Sequence, residues 1–209
     1  MGLSNRDKKL IASKQIYMSR YSFPYHKMAE FLNSDKFINM YIGDIIETPQ
    51  LGEGLYVDYI NRPKLKSHID KEFVELSLTS TRLNTLKHSN KCVCCGLEGV
   101  TFKPSMSSCN NGYRGHINLY SSQGVLFTID HLKPQSMGGR TEANNLVTCC
   151  IECNDLKGST YKPWSWIREQ IIMSEGNIDN LSYQLAGGGH STNYLTSIYK
   201  RILWEENHK

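Results

Sequence analysis

The stretch TIDHLKPQSMGGRTEANNLVTCCIECNDLKG, from Thr128 to Gly158, decides how the central part of this chain folds. An Asp-His pair follows the apolar run VLFTI, whose β-branched and aromatic residues predict a strand. Pro134 must end that strand because it has no backbone N–H to donate to a ladder. NNLVTCC then predicts a second short strand, and IECNDLKGST predicts a helix. The predicted local order is strand, polar loop, strand, helix.

The cysteines around this stretch are spaced for a metal ion. Cys92 and Cys95 form one C-x-x-C pair, and Cys150 and Cys153 form a second pair far along the chain. Four thiolates suit a tetrahedral zinc ion, and a closed shell of four sulfurs leaves no position for a substrate. We therefore predict a structural zinc that fastens the segment before Cys92 to the helix that starts near Cys150.

Three further cysteines leave other ligand choices open. Cys94 and Cys149 each adjoin a member of a pair and are alternative ligands, whereas Cys109 matches no pair and is predicted to be a free thiol. The chain has seven cysteines in all, and an odd number without an export signal argues against a disulfide framework. A chain that binds no metal through these residues is the remaining alternative.

The polar residues of the opening stretch suit the cleavage of phosphodiester bonds. A neutral imidazole such as that of His131 can take a proton from water near neutral pH. The carboxylate of Asp130 and the amide oxygen of Asn154 are hard ligands of the kind that Mg²⁺ or Mn²⁺ prefers. A cation held in this way stabilises the charge that develops on the phosphate and on the leaving oxygen.

Together these motifs resemble the HNH endonucleases, which have a ββα-metal core. The resemblance is carried by KCVCCG, DHLKPQSMGG, NNLV and CIECNDLKG, and it covers about 70 residues from Lys91 to Thr160. It implies that His131 is the general base, that Asp130 is a metal ligand and that Asn145 holds the loop in shape. Asn154 occupies the last position, where many members have histidine, and an amide there favours Mg²⁺ or Mn²⁺ over a catalytic zinc.

The function implied is a metal-dependent endonuclease that hydrolyses DNA, with duplex DNA as the expected partner. Lys157, Arg140 and Arg114 are the candidate phosphate contacts, although a solvated lysine is an equally open interpretation of Lys157. The alternative function is a non-catalytic, zinc-stabilised module that binds nucleic acid, in which the same residues only shape the loop. A nuclease that acts on RNA, or within a larger complex, is a third hypothesis.

Composition and charge set the broader class of the protein. The chain has 209 residues, of which 39% are apolar and 21% are charged, as expected for a globular protein. No apolar run approaches the length of a membrane span, and the N-terminus lacks the apolar core of a secretory signal, so we expect a cytoplasmic protein. The net charge is +4, and residues 1–20 alone carry +4, which fits either a solvated basic helix or an arm along a phosphate backbone.

The expected fold class is α+β, with a small ββα-metal core and a zinc site flanked by N- and C-terminal helices. We predict a mainly helical region of unknown function over 1–90, the HNH core over 91–160 and a helical extension over 161–209. The first region is the expected contact for a homodimer or a larger complex. Within these regions we expect helices over 5–20, 24–48 and 66–89, a loop over 48–63 and a flexible connector at QLAGGGHST.

Overall fold

The structure, a computed structural model, divides into two compact units. Unit 1 combines 1–87 with 100–119, and unit 2 combines 88–99 with 120–209. The division differs from the predicted boundaries, since the strands over 100–119 belong to unit 1 and the C-terminal helices belong to unit 2. The backbone is described for residues 21–69, 75–109, 112–181 and 194–208, and the side chains for the same residues except 75, 106–109 and 112–114.

The described residues of unit 1 form two antiparallel sheets and three short helices. The smaller sheet has the strand order β1-β6-β7, and the larger sheet has the order β2-β3-β4-β5. Its elements in chain order are β1 (Phe23–Pro24), α1 (Tyr25–Asn33), α2 (Asp35–Ile38), β2 (Ile45–Glu47), β3 (Leu55–Tyr59), β4 (Pro63–Ser67), β5 (Glu75–Ser77), α3 (Thr81–Leu86), β6 (Gly99–Cys109) and β7 (Gly112–Ser121).

The larger sheet corrects the expectation that this region is mainly helical. Val57 pairs with Leu65, which pairs in turn with Leu76, and all three side chains are fully buried. Strands β3 and β4 alternate apolar with polar residues, a period of two that fits a sheet with one buried face. The loop predicted over 48–63 was therefore wrong for β3, and the helices predicted over 66–89 were wrong except for α3.

Unit 2 has the predicted order of strand, loop, strand and helix, followed by two longer helices. The two strands pair antiparallel, from Phe127 opposite Cys150 to His131 opposite Leu146. Helices over Trp164–Met173 and Leu195–Asn207 lie in the region predicted to be a helical extension, 161–209. The elements of unit 2 are β8 (Phe127–His131), β9 (Leu146–Cys150), α4 (Ile151–Lys157), α5 (Trp164–Met173) and α6 (Leu195–Asn207).

The core of unit 2 lies where α4, α5 and α6 pack together. Ile167 and Ile171 on α5, and Ile198 and Ile202 on α6, are fully buried. Each pair is spaced by four residues, so each helix presents one apolar stripe to its neighbours. Helix α6 packs against both α5 and α4. The predicted α+β class, with helices around a small ββα unit, is confirmed.

Two predicted segments lie outside the described residues. These are the helix over 5–20 and the connector at QLAGGGHST. Across the part of the chain that the structure describes, no helix is both long enough and apolar enough to span a bilayer.

Candidate functional site

Four buried cysteines in unit 2 are arranged to hold one metal ion. The sulfurs of Cys92, Cys95, Cys150 and Cys153 all lie within 4.8 Å of one another. The Sγ atoms of Cys95 and Cys150 are 3.9 Å apart. A tetrahedral zinc ion with Zn–S bonds of about 2.3 Å requires edges of about 3.8 Å, so this donor set fits zinc.

Two short segments present these four sulfurs. The first is a tight turn in which the N–H of Gly96 donates to the carbonyl of Cys92 at 3.0 Å. The N–H of Val93 donates to the carbonyl of Thr148 at 3.0 Å, which joins this turn to β9. The second segment is the start of α4, where Cys150 precedes the helix and Cys153 lies in its first turn. A metal ion on all four sulfurs therefore ties the turn to the helix.

Neighbouring sulfurs shift the pKa values of the buried Cys92 and Cys153 in opposite directions. Burial raises the pKa of Cys153 well above that of a free thiol, and contacts with neighbouring sulfurs raise it further. Burial also acts to raise the pKa of Cys92, but hydrogen bonds from Cys149 and Cys150 outweigh it and lower that pKa. Because a thiol with a raised pKa keeps its proton when no cation is bound, we expect metal binding to release protons.

The alternative ligands named above are placed differently. Cys94 and Cys149 are both fully buried, and the Sγ of Cys149 lies 3.9 Å from that of Cys92. Neither belongs to the group of four sulfurs close enough to share one ion. The side chain of Cys109 is outside those that the structure describes.

Two arginines from the C-terminal helices support the cysteine site, and the sequence did not predict them. The guanidinium of Arg201 on α6 pairs with Glu152 on α4. Burial alone would lower the pKa of Arg201, but the negative charges of Cys95 and Glu152 outweigh it and raise that pKa. Arg168 on α5 donates to the carbonyl of Cys94 at 2.7 Å. These contacts place positive charge beside the cysteine site.

The Asp-His pair stands at the end of β8, with one residue on each side of the strand. The side chain of Asp130 is buried, whereas His131 is half-buried. Strand pairing continues through the N–H of Leu132, which donates to the carbonyl of Asn145 at 2.9 Å. The Nε2 of His131 lies 3.0 Å from the Oγ1 of Thr141, on the loop that links the two strands. The loop therefore contributes a partner that orients the imidazole.

Asn145 holds the two ends of that loop together through three hydrogen bonds. Its Oδ1 accepts from the N–H of Lys133 at 2.8 Å, and its Nδ2 donates to the carbonyl of Lys133 at 3.1 Å. The same Nδ2 donates to the carbonyl of Arg140 at 2.8 Å. Both amide protons are thus used within the loop, which makes Asn145 a framework residue in this structure.

Gly139 allows the loop to fold back on itself. A Cβ atom at this position would lie 1.8 Å from the backbone oxygen of Lys133, a contact that only a shift of the backbone can relieve. We expect Gly139→Ala to lower the free energy of unfolding of unit 2 by about 1–3 kcal/mol. It should also speed hydrogen–deuterium exchange over 132–145, measured on the zinc-loaded protein.

The matched control for this change is Gly124→Ala. Gly124 lies in the turn before β8 with a φ of +80°, and a Cβ there would meet nothing within 4 Å. Only the backbone cost of the left-handed conformation applies, about 1–2 kcal/mol, so exchange over 132–145 should stay unchanged. Equal exchange over that loop in both variants would contradict the steric role of Gly139.

Lys157 is not at the surface of unit 2. Its side chain is 1% exposed, and its Nζ lies 2.7 Å from the Oδ2 of Asp130. The same ammonium donates to the carbonyl of His131 at 3.0 Å. This placement corrects the predicted contact between Lys157 and a phosphate, because a buried ammonium with two protein acceptors is not available to DNA.

The remaining candidates stay predictions. Asn154 is half-buried on α4, and its carboxamide makes no hydrogen bond to another described residue. Arg140 is 84% exposed on the loop, with an Nη1 to Oε1 distance of 3.6 Å to Glu142. Arg114 lies on β7 in unit 1, and its side chain is not among those described.

No hydrogen bond joins the side chains of the four predicted catalytic residues to one another within the described parts of the chain. Three of them are instead positioned by separate partners: Asp130 by Lys157, His131 by Thr141 and Asn145 by the loop backbone. Sequence reasoning missed the first two partners. The sequence did contain an indication that Lys157 is buried. Lys157 lies four residues after Cys153 and therefore on the same, buried face of α4.

Comparison with known protein families gives a match to part of unit 2. The family model of HNH endonucleases matches residues 120–164, which include β8, the loop, β9 and α4. A search of curated proteins and a search of solved structures found no significant match. The match begins after the first cysteine pair, so the structure, rather than the family model, brings Cys92 and Cys95 to the site. Over residues 120–164 the chain is similar to the HNH endonuclease family, and the predicted resemblance is confirmed there.

Proposed function

We propose that unit 2 is a metal-dependent endonuclease that hydrolyses phosphodiester bonds in duplex DNA. The family match supports a nuclease with a nucleic-acid substrate. The observation that carries the proposal is the placement of Asp130 and His131 as consecutive residues at the end of β8, with Asn154 on the helix that follows β9. These are the oxygen and nitrogen donors that the reaction needs, inside the matched segment.

In this proposal His131 removes a proton from the attacking water. This role requires the tautomer in which Nε2–H donates to the Oγ1 of Thr141, 3.0 Å away, and the lone pair of Nδ1 acts as the base. The Nε2 of Gln135 also donates to the Oγ1 of Thr141, at 3.0 Å, and thereby holds the threonine in place. The imidazole is thus oriented by two residues of the loop that Asn145 closes.

Asp130 and Asn154 would hold the divalent cation, Mg²⁺ or Mn²⁺. Only one carboxylate oxygen of Asp130 is bonded to Lys157, and the carboxamide of Asn154 has no hydrogen-bond partner among the described residues. This donor set of hard oxygens fits such a cation. When bound, the cation supplies stabilisation of the negative charge on the phosphate and on the leaving oxygen. The four-cysteine zinc, by contrast, is structural because its sulfurs close the shell.

The test is cleavage of supercoiled plasmid by the zinc-loaded, full-length protein. We expect nicked or linear products with Mg²⁺ or Mn²⁺ and none when EDTA removes the weakly held cation. Intact supercoiled, linear and single-stranded DNA across a series of divalent metals would overturn the proposal. Cleavage of RNA alone would keep the nuclease but overturn DNA as its substrate.

The ion pair between Lys157 and Asp130 supports a second candidate, the non-catalytic nucleic-acid-binding module. In that function the carboxylate of Asp130 serves only as the partner of a buried lysine. The expected result is then DNA binding that does not depend on Mg²⁺ or Mn²⁺, with no cleavage. Metal-dependent cleavage would exclude this candidate.

A further inference from the structure

The ammonium of Lys157 is held on three sides inside unit 2. It lies 2.7 Å from the Oδ2 of Asp130, 3.0 Å from the carbonyl oxygen of His131 and 5.4 Å from the centre of the Trp164 ring. The side chains of Lys157 and Asp130 are 1% and 8% exposed. Burying an unpaired lysine is costly, so this cation and this carboxylate are kept inside as a pair.

The pair leaves the proposed cation site without net charge. Asp130 is the one carboxylate among the proposed ligands, and Lys157 cancels it. Asn145 and Asn154 are neutral, and on the adjoining loop Arg140 stands beside Glu142. Mg²⁺ gives up its waters reluctantly and is usually bound through carboxylates together with substrate phosphates. A neutral site of this kind attracts a dication weakly on its own.

We infer that Lys157 is a positioning residue that makes cation binding depend on the phosphate of the nucleic acid. The inference rests on the proposed function, in which Asp130 is a cation ligand. Lys157 fixes one oxygen of Asp130 and cancels its charge. The scissile phosphate then supplies the negative charge that the site lacks, so the cation and the nucleic acid bind together.

Titration of the zinc-loaded protein with Mn²⁺, without DNA, tests the charge cancellation. Free Mn²⁺ is followed by electron paramagnetic resonance. Lys157→Met should bind Mn²⁺ at least about tenfold more tightly than the natural chain, because a positive charge a few ångströms from the ion is removed. Lys157→Arg, which keeps the charge, should bind Mn²⁺ as the natural chain does.

The double variant Asp130→Asn/Lys157→Met distinguishes Mn²⁺ bound at Asp130 from Mn²⁺ bound elsewhere on the protein. It removes both charges together, so it leaves no unpaired buried charge, and the gain in Mn²⁺ affinity should vanish. Zinc content and circular dichroism check the fold of every variant. Lys157→Gln replaces Lys157→Met if the methionine variant does not fold, with the same expected gain.

A second titration tests the coupling to nucleic acid. In a His131→Ala background, which is expected to cleave at least about two orders of magnitude more slowly, a duplex oligonucleotide should tighten Mn²⁺ binding when Lys157 is present. In Lys157→Met the site already carries the charge of Asp130. The factor by which the oligonucleotide increases the Mn²⁺ affinity should therefore be at least about tenfold smaller in this variant. Equal tightening in both backgrounds would overturn the coupling.

Failure of the inference is distinct from failure of the proposed function. Equal Mn²⁺ affinity of the natural chain and Lys157→Met without DNA overturns the inference, even if the natural chain cleaves DNA. If Lys157→Met shows the expected gain in Mn²⁺ affinity but the natural chain cleaves no nucleic acid, the charge cancellation is supported and the proposed nuclease function is overturned.

Discussion

His131→Ala is expected to reduce the rate of DNA cleavage by at least about two orders of magnitude and to leave the zinc content unchanged. A positioned general base contributes about 10²–10⁴ in rate, and in our proposal His131 is that base. The side chain is half-buried at the end of β8 and bonds to Thr141, and it is not one of the four clustered ligands. Its loss should therefore remove a proton acceptor without disturbing the zinc.

The measurement is single-turnover cleavage of a defined duplex, with zinc measured by elemental analysis in the same preparation. His26→Ala serves as the matched control, because His26 is exposed on α1 in unit 1. Cleavage by that control should equal that of the natural chain. Full cleavage by His131→Ala would exclude the imidazole as the base, and loss of zinc would assign it a structural role instead.

The ββα part of the molecule was predictable because the residue pattern of each short segment indicates the element that the segment forms. Apolar β-branched runs mark β8 and β9, Pro134 limits the first strand, and the C-x-x-C spacing marks the start of α4. The sulfurs that cluster are those of the two pairs. In this region the local sequence and the tertiary packing favour the same secondary structure, as in minimally frustrated folds.

The partner of Asp130 was not predicted, because it depends on a contact between elements that are distant in sequence. Lys157 lies 27 residues after Asp130, and only the packing of α4 against β8 brings the ammonium to the carboxylate. A lysine is ordinarily assigned to the surface. Its spacing from Cys153 indicated a buried face, but the spacing alone does not name the acid that it meets.

The sheet of unit 1 was missed for a different reason. Its strands are three to five residues long, too short for a periodic pattern to stand out from neighbouring turns. Pro63 was interpreted as the end of a loop, yet it is the first residue of β4, a position where a strand tolerates proline. The pairing of Val57 with Leu65 reveals the sheet only once the strands lie side by side.

Cys153→Ala is expected to abolish zinc binding and to unfold the region around α4. The side chain is fully buried and supplies one of four sulfurs, so its loss opens the shell. Structural zinc contributes about 10–16 kcal/mol of apparent binding free energy in small zinc domains, which is comparable with the stability of a whole domain at about 5–15 kcal/mol. Elemental analysis and the circular dichroism of the helices measure the two effects.

Cys149→Ala is the control that separates ligation from burial. Cys149 is buried to the same extent, and its Sγ lies 3.9 Å from that of Cys92, yet it lies outside the four-sulfur cluster. The substitution removes the same atom from a similar environment, so the cavity cost of about 1–3 kcal/mol should be shared while zinc is retained. Loss of zinc from Cys149→Ala, together with retention of zinc in Cys153→Ala, would show that Cys149 and not Cys153 is the zinc ligand.

Helix α4 carries both Asn154 and Lys157. The loss of zinc in Cys153→Ala should therefore also remove Mn²⁺ binding at Asp130, which would show that one helix couples the two metal sites.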